Sequence, residues 1–247
     1  MPRSLELWIA WNFTVLPTKD DTNIVYFQSF NLAIHRFRIA FSLPMKILLA
    51  SRNRDKFREI SEKIKPLGFT LLSPDDFENL PEVEEDGTTL QDNAYKKAVT
   101  LHQVTGLPAL ADDTGLEVDI LGGAPGVFSS RYAGTEATYA DNVAKLLNDL
   151  KGVPFDQRRA RFRCVIAYLE KGAAKIFEGV LHGYISLEPK GWNGFGYDPI
   201  FYLPAEKKTL AELSLEEKNR ISHRGIALAE WLHYLTGRIN GCKGNPL

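Results

Sequence analysis

Leu107-Pro108-Ala109-Leu110-Ala111-Asp112-Asp113-Thr114-Gly115-Leu116-Glu117-Val118-Asp119 is the stretch on which the fold turns. Its apolar run reads as a buried strand, and that run is expected to end in two adjacent carboxylates, a hydroxyl and a glycine. Ionised carboxylates at the mouth of a strand are costly to desolvate unless cations or donors compensate them. In open α/β sheets the carboxyl ends of strands are also where ligands bind. Two readings stand side by side: a divalent-metal and general-base site, or a solvated Asp-Asp turn.

Upstream, Thr88 or Thr89 can cap a helix that carries Leu90, Ala94, Ala98 and Leu101 on one face, with Gly106 and Pro108 ending it. Lys96 and Lys97 lie on or beside its polar side. Ser73 to Gly87 is an acidic loop with Glu82, Glu84, Glu85 and Asp86; brought near Asp113, one of these carboxylates would complete an oxygen cage for Mg²⁺. Lys46 to Ala50 is a compact apolar strand running into Ser51-Arg52-Asn53-Arg54-Asp55-Lys56, where Ser51 or Asn53 can cap a helix bearing Phe57, Ile60 and Ile64. Such a turn presents backbone N–H groups beside Lys56, a place where a triphosphate could be gripped.

Downstream, Leu116, Val118 and Ile120 alternate as a strand would, and Gly122 to Gly126 makes a tight loop. Thr138 precedes a helix with Val143, Leu146, Leu147 and Leu150. Arg161 to Tyr168 alternates apolar with basic residues, the pattern of a half-buried strand, and Lys175 to Leu187 supplies one or two more. Gly191-Trp192-Asn193-Gly194-Phe195-Gly196-Tyr197-Asp198-Pro199 interleaves glycines with aromatics, so its backbone could approach a flat ligand while rings stack on it. Ser214 to Glu217 is a capping box, and Ser222-His223-Arg224 starts a further helix; Lys218, His223 and Arg224 should meet near its start.

The chain has 247 residues, of which 44% are hydrophobic and 25% charged, enough for a sizeable core. A net charge of -1 argues against a binder of nucleic-acid backbone. No apolar run approaches the ~20 residues that span a bilayer. Cys164 and Cys242 make neither a disulfide framework nor a zinc site, so a cytoplasmic protein is expected. Residues 1–44 stand apart: they hold eight aromatics but sustain neither helical nor strand period, and they suit neither a secretory signal nor a transit peptide. We read them as a separate extension, dispensable to the folded unit at 45–247.

Four separated segments, taken in order, resemble the inosine triphosphate pyrophosphatase family, the Ham1-like enzymes that clear non-standard purine nucleotides. They are Ser51-Arg52-Asn53-Arg54-Asp55-Lys56, Asp112-Asp113-Thr114-Gly115, Gly194-Phe195-Gly196-Tyr197-Asp198-Pro199 and Ser222-His223-Arg224. The resemblance implies an α/β fold: a long mixed β-sheet with flanking helices, forming two lobes around a central cleft, in a homodimer. It also implies the reaction, a nucleoside triphosphate (ITP, dITP or XTP) and water giving the monophosphate and pyrophosphate with Mg²⁺. Carried over by motif, Ser51, Arg52, Asn53, Arg54, Asp55 and Lys56 look like the triphosphate turn. Asp113 looks like the general base and a metal ligand, Glu85 the second ligand, and Thr114 a substrate contact. Phe195, Gly196, Tyr197, Asp198, Lys218, His223 and Arg224 look like the base and phosphate pocket, with Lys97 a further phosphate contact. The family often has serine where Thr114 stands, and glycine where Arg52 stands; Glu84 is the neighbour competing with Glu85. A pyrophosphatase for modified pyrimidine nucleotides is the near rival, and a non-catalytic nucleotide-binding module the distant one.

Overall fold

The computed structural model describes residues 45–241 and, before them, three strands, β1 (Phe13–Pro17), β2 (Asn23–Phe27) and β3 (Ile39–Phe41). These pair antiparallel in the order β1-β2-β3, where the sequence alone shows no sustained strand period. The rest of residues 1–44, and Cys242, lie outside the described residues, and so does most of the stretch expected to be a separate extension.

From Met45 the order is β4 (Lys46–Leu49), α1 (Arg54–Ile64), β5 (Thr70–Leu72), α2 (Leu90–Thr105), β6 (Ala109–Val118), β7 (Pro125–Gly126), α3 (Tyr139–Asp149), β8 (Arg159–Glu170), β9 (Ala173–Ile185), β10 (Phe201–Leu203), β11 (Lys208–Thr209), α4 (Leu215–Ile221) and α5 (His223–Gly241). Several helices begin where local chemistry dictates. Asn53 Oδ1 accepts from the N–H groups of Asp55 and Lys56 at 2.9 and 3.1 Å. Thr89 caps α2, and Thr138 and Ser214 form capping boxes with Asp141 and Glu217. Each such cap contributes about 1 kcal/mol by satisfying donors that the first helical turn leaves free. Gly106 closes α2 with a φ of 69°, a conformation that favours glycine.

The main sheet runs β11-β10-β9-β8-β6-β4-β5, with β7 also paired to β6. β5, β4 and β6 are parallel; the remaining pairs are antiparallel. Parallel strands are covered on both faces, which is why Ile47, Leu48 and Leu49 form an unbroken buried run. β6 does not stop at the acidic pair: it continues to Val118, with all ten residues laddered to β8. The expected strand mouth is therefore mid-strand, because pairing with β8 overrides the poor strand propensity of Asp and Gly. Ile120 falls in a 3₁₀ turn rather than the strand, and Lys175 to Ile185 is one strand, not two.

β4 pairs with β6 only at Ala109 and Leu110, and β7 returns to β6 at Leu116 and Glu117. Between these points no described strand covers that edge of β6. This fork divides the core. On the β4 side, α1 and α5 pack Ile60, Ile64, Leu228, Trp231 and Leu235 against one sheet face, and α2 packs Leu90, Ala94, Ala98 and Leu101 against the other. Beyond the fork a second cluster gathers Leu116, Val118, Leu146, Leu150, Phe162, Ile185, Phe201 and Leu210 under α3. Two lobes follow, with β6 and β8 running through both and Asp112-Asp113-Thr114 lying in the polar gap between them. Helix α5 seats closely on the sheet because β9 carries Gly179 there: a Cβ on it would lie 2.0 Å from the His223 carbonyl oxygen.

Candidate active site

Alternation along β6 sends neighbouring side chains to opposite faces, so Asp112 and Thr114 point toward α1 and α5 while Asp113 points toward α2. On the α5 side the charges are matched. Arg224 donates from Nε and Nη2 to Asp112 Oδ2, both at 3.0 Å, from Nη1 to Glu59 at 2.5 Å and from Nη2 to Thr114 Oγ1 at 3.2 Å. Lys218 donates to Glu59 at 2.6 Å and to Asp198 at 2.5 Å, and the Lys56 ammonium lies 3.3 Å from Asp112 Oδ1. Three cations thus face three carboxylates, and every one of them except Lys56 is almost wholly buried. Burial works to raise Asp112, but Lys56, Arg224 and Lys97 outweigh it and hold its carboxyl well below the usual range. Burial likewise opposes the charge on Arg224, which Asp112 and Glu59 more than restore. In Asp198 burial prevails over the pull of Lys218 and shifts the carboxyl upward.

On the α2 side the pairing is looser. The buried Lys97 ammonium sits between Glu85 at 2.8 Å and Asp113 at 3.0 Å, and donates also to the Asp112 carbonyl at 2.9 Å. Lys56 reaches the same carbonyl from the other face at 3.4 Å. Asn93 donates to Asp113 Oδ2 at 3.2 Å and accepts from the Gly87 N–H at 2.8 Å, tying the carboxylate to the acidic loop. Burial raises Asp113 above the ordinary carboxyl value despite Lys97 and Lys56. In Glu85 burial is overcome by Lys97, Lys56 and Arg131, which together hold it low. Arg131 Nη1 lies a further 3.9 Å from Glu85 Oε2, so Lys97 is the one cation within hydrogen-bond distance of both carboxylates, and their hard oxygens at the cleft are donor chemistry that suits a divalent cation. Among the described residues no group of three or more His, Cys, Asp or Glu side chains converges on one point, so other oxygens would have to complete such a cation's shell.

The cleft is lined by Ser51, Asn53, Lys56, Glu85, Asp113, Thr114, Tyr139, Phe162, Phe195, Gly196, Tyr197, Asp198, Lys218, His223 and Arg224, among others. Nearly all the residues expected at the site therefore meet. Three of the turn residues behave differently: Arg52 turns its guanidinium to Asp75 at 2.6 Å, Arg54 is exposed, and Asp55 lies 3.8 Å from Arg58, so none of them lines the cleft. The backbone donors expected to be free at Asp55 and Lys56 are taken by the Asn53 cap. The glycine-aromatic loop is also tighter than expected. Gly194 lets the loop fold onto Asp198, since a Cβ there would lie 2.1 Å from Oδ2, and only Gly196 faces open space. Phe195 has the Lys218 ammonium 4.7 Å and the Arg224 guanidinium 5.4 Å from its ring centroid. His223 is not one of the cations: burial, reinforced by Arg224 and Lys218, holds its imidazole well below 6.5 and so neutral near pH 7. Its ring stacks on Phe162 at 4.5 Å, and its buried Nδ1 has no hydrogen-bond partner among the described residues.

Sequence reasoning missed Glu59, Asn93 and Tyr139; helical periodicity put Lys96 and Lys97 together on the polar side, and only the resemblance singled out Lys97, as a phosphate contact. Helical phase separates the two lysines, because Lys97 lies three residues after Ala94 and four before Leu101 on the buried stripe, whereas Lys96 is exposed and pairs with Asp86. Glu85 lines the cleft, whereas Glu84 is exposed.

A family model described as the Ham1 family matches residues 47–234. The chain is similar to a dITP/XTP pyrophosphatase of Geobacter sulfurreducens, 52% identical over 185 residues that make up 74% of this chain and 93% of the relative. It is also similar to a dITP/XTP pyrophosphatase of Escherichia coli, 48% identical over 186 residues, 74% of this chain and 94% of the relative. Among solved structures, a HAM1 protein from Coxiella burnetii superposes with a TM-score of 0.72 at 47% identity, covering 78% of this chain and 99% of that one.

Proposed function

The chain belongs to the Ham1 family, and from that premise we propose that its cleft hydrolyses non-standard purine nucleoside triphosphates, dITP, ITP and XTP, to the monophosphate and pyrophosphate. Removing such nucleotides from the pool is the role that follows. The observation that carries the site assignment is the placing of Asp113: a carboxylate raised by burial, anchored by Lys97 and Asn93, at the edge of the cleft.

In this reading Asp113 is the general base. Burial destabilises its charged form, and a raised pKa makes a carboxylate a better proton acceptor for an attacking water. Asn93 and Lys97 fix its orientation. Lys56 is the cation with room to reach phosphate, since Lys218 and Arg224 are buried and matched to carboxylates; these two hold Phe195 and thereby shape the base pocket. Ser51 and Asn53 flank the phosphates, and Thr114 offers its hydroxyl. Mg²⁺ suits Glu85 and Asp113, whose hard oxygens lie at the cleft; when bound it would offset charge on the triphosphate. The neutral His223 stacks on Phe162 in the lining of the cleft, beside the base pocket. A 6-carbonyl accepts from a backbone N–H in such a pocket and a 6-amino group does not, and a site built on that difference discriminates by up to ~10⁴-fold.

The protein is further taken to act as a homodimer in the cytoplasm on free nucleotides rather than nucleic acid or membranes; among the described residues no helix is long and apolar enough to cross a membrane. Residues 1–44, outside the matched span, are proposed to be dispensable for turnover. Pyrophosphate release from dITP, ITP, XTP, dGTP, dATP and modified pyrimidine triphosphates, with and without Mg²⁺, tests the reading on the full chain and on a form beginning at Met45. The first three should be turned over far faster than the others, and only with the metal; preference for a pyrimidine would replace the substrate class. Light scattering on the same samples checks the dimer.

A further inference from the structure

Tyr139 is the first residue of α3, where Thr138 and Asp141 already supply the capping box, so its side chain is not needed to start the helix. Nor does it enter the apolar stripe under α3: it is 43% exposed and lines the cleft instead. Its hydroxyl accepts a hydrogen bond from Asn53 Nδ2 at 2.9 Å. The other end of that amide caps α1 through the N–H groups of Asp55 and Lys56. Its ring centroid lies 5.8 Å from that of Phe195 at an interplanar angle of 41°. One residue of the second lobe therefore touches both the turn that carries Lys56 and the aromatic loop beyond it. Neither the segments that carry the family resemblance nor the assigned chemistry uses Tyr139.

Resting on the pyrophosphatase reading, we infer that Tyr139 is a substrate-binding residue that stacks on the base at the nucleoside end of the substrate. A partly exposed ring beside a second ring makes a wall on which a purine can stack, and such stacking is sequence-tolerant and large. The hydroxyl has the separate task of setting the Asn53 amide, and hence the geometry of the phosphate turn relative to the base. Ring and hydroxyl thus divide: the ring contributes affinity for the base, the hydroxyl only register.

Tyr139→Ala and Tyr139→Phe in the full chain separate the two. Binding is measured by calorimetry in EDTA, so that no turnover is needed, with dITP as one ligand and pyrophosphate, which has no base, as the other. Tyr139→Ala should weaken dITP about tenfold, the scale of one lost base–aromatic stack, and leave pyrophosphate within twofold. Tyr139→Phe should weaken dITP less than threefold. In steady state with Mg²⁺ the loss in Tyr139→Ala should appear in KM rather than kcat, and the thermal midpoint should not move. Equal weakening of dITP and pyrophosphate, unchanged dITP affinity, or a loss confined to kcat would overturn the inference. Wild-type protein that binds dITP without hydrolysing it would instead refute the reaction assigned above while leaving this role intact.

Discussion

The two faces of β6 carry the same residue type at successive positions and put it to opposite uses. On the α5 face, Asp112 is fully buried and part of a matched set: Arg224, Lys218 and Lys56 against Asp112, Glu59 and Asp198. On the α2 face, at the edge of the cleft, Asp113 shares the Lys97 ammonium with Glu85, which has Arg131 at a looser 3.9 Å. A matched buried set has little left to offer a ligand, and its worth lies in fixing the helices that bear it. A more loosely paired set at a cleft can still take up positive charge. Adjacent carboxylates thus divide into scaffold and chemistry because strand geometry sends them to different neighbourhoods.

The largest effect that would break this comparison lies on the matched side. Asp112→Asn leaves the buried Arg224 with Glu59 as its one remaining carboxylate partner, and removal of one partner from such a set costs ~3–5 kcal/mol. Urea unfolding should show that loss; a stability unchanged within error would mean that the α5 face is not a closed network. A smaller effect is expected across the strand. Asn93→Ala removes the donor to Asp113 Oδ2 and the acceptor for Gly87, a charge-assisted bond worth ~1.5–3 kcal/mol. It should lower kcat for dITP about tenfold or more while dITP affinity in EDTA stays close to wild type, which distinguishes misaimed chemistry from lost binding. The smallest effect concerns pH. His223 is held neutral in the native cleft far below its ordinary 6.5, so below that pH the unfolded chain takes up a proton that the folded chain refuses. Stability should therefore fall on acidification by up to about 1.4 kcal/mol per pH unit. Thermal midpoints from pH 7 to 5.5 should decline less steeply in His223→Phe, which keeps the stack on Phe162; identical slopes would place the titration elsewhere.

Much of this arrangement is legible in the sequence because it depends on neighbours in the chain. The Asn53, Thr89, Thr138 and Ser214 caps and the end of α2 at Gly106 are local rules, and each holds in the structure; the alternation of the Arg161 strand holds only as far as Cys164, beyond which both faces are buried through Leu169. The resemblance carried by four separated segments supplied the fold and the family. What could not be read is set by contacts distant in sequence. Glu59 precedes Ile60 on a helix rich in charge, and nothing local marks it as buried; only the packing of α1 against α4 and α5 brings Lys218 and Arg224 to its two oxygens. The continuation of β6 through Asp112 and Asp113 was hidden for the same reason, since its partner β8 lies about fifty residues away and propensity alone argues for a stop. Tyr139 and Asn53 meet only because the lobes face each other. The resemblance named Lys97 as a phosphate contact; its burial between Glu85 and Asp113 follows from the helical phase of α2 through Ala94 and Leu101.

The most direct test of the division between the two faces is the turnover of dITP by Asp113→Asn at saturating substrate, measured as pyrophosphate release beside the unfolding midpoint of the same preparation. Lys97 keeps Glu85 and the Asp112 carbonyl when that carboxylate is lost, so the fold should hold while kcat drops by at least ~10²-fold, the usual contribution of a general base. A folded Asp113→Asn protein that turns over dITP at close to the wild-type rate would contradict the account.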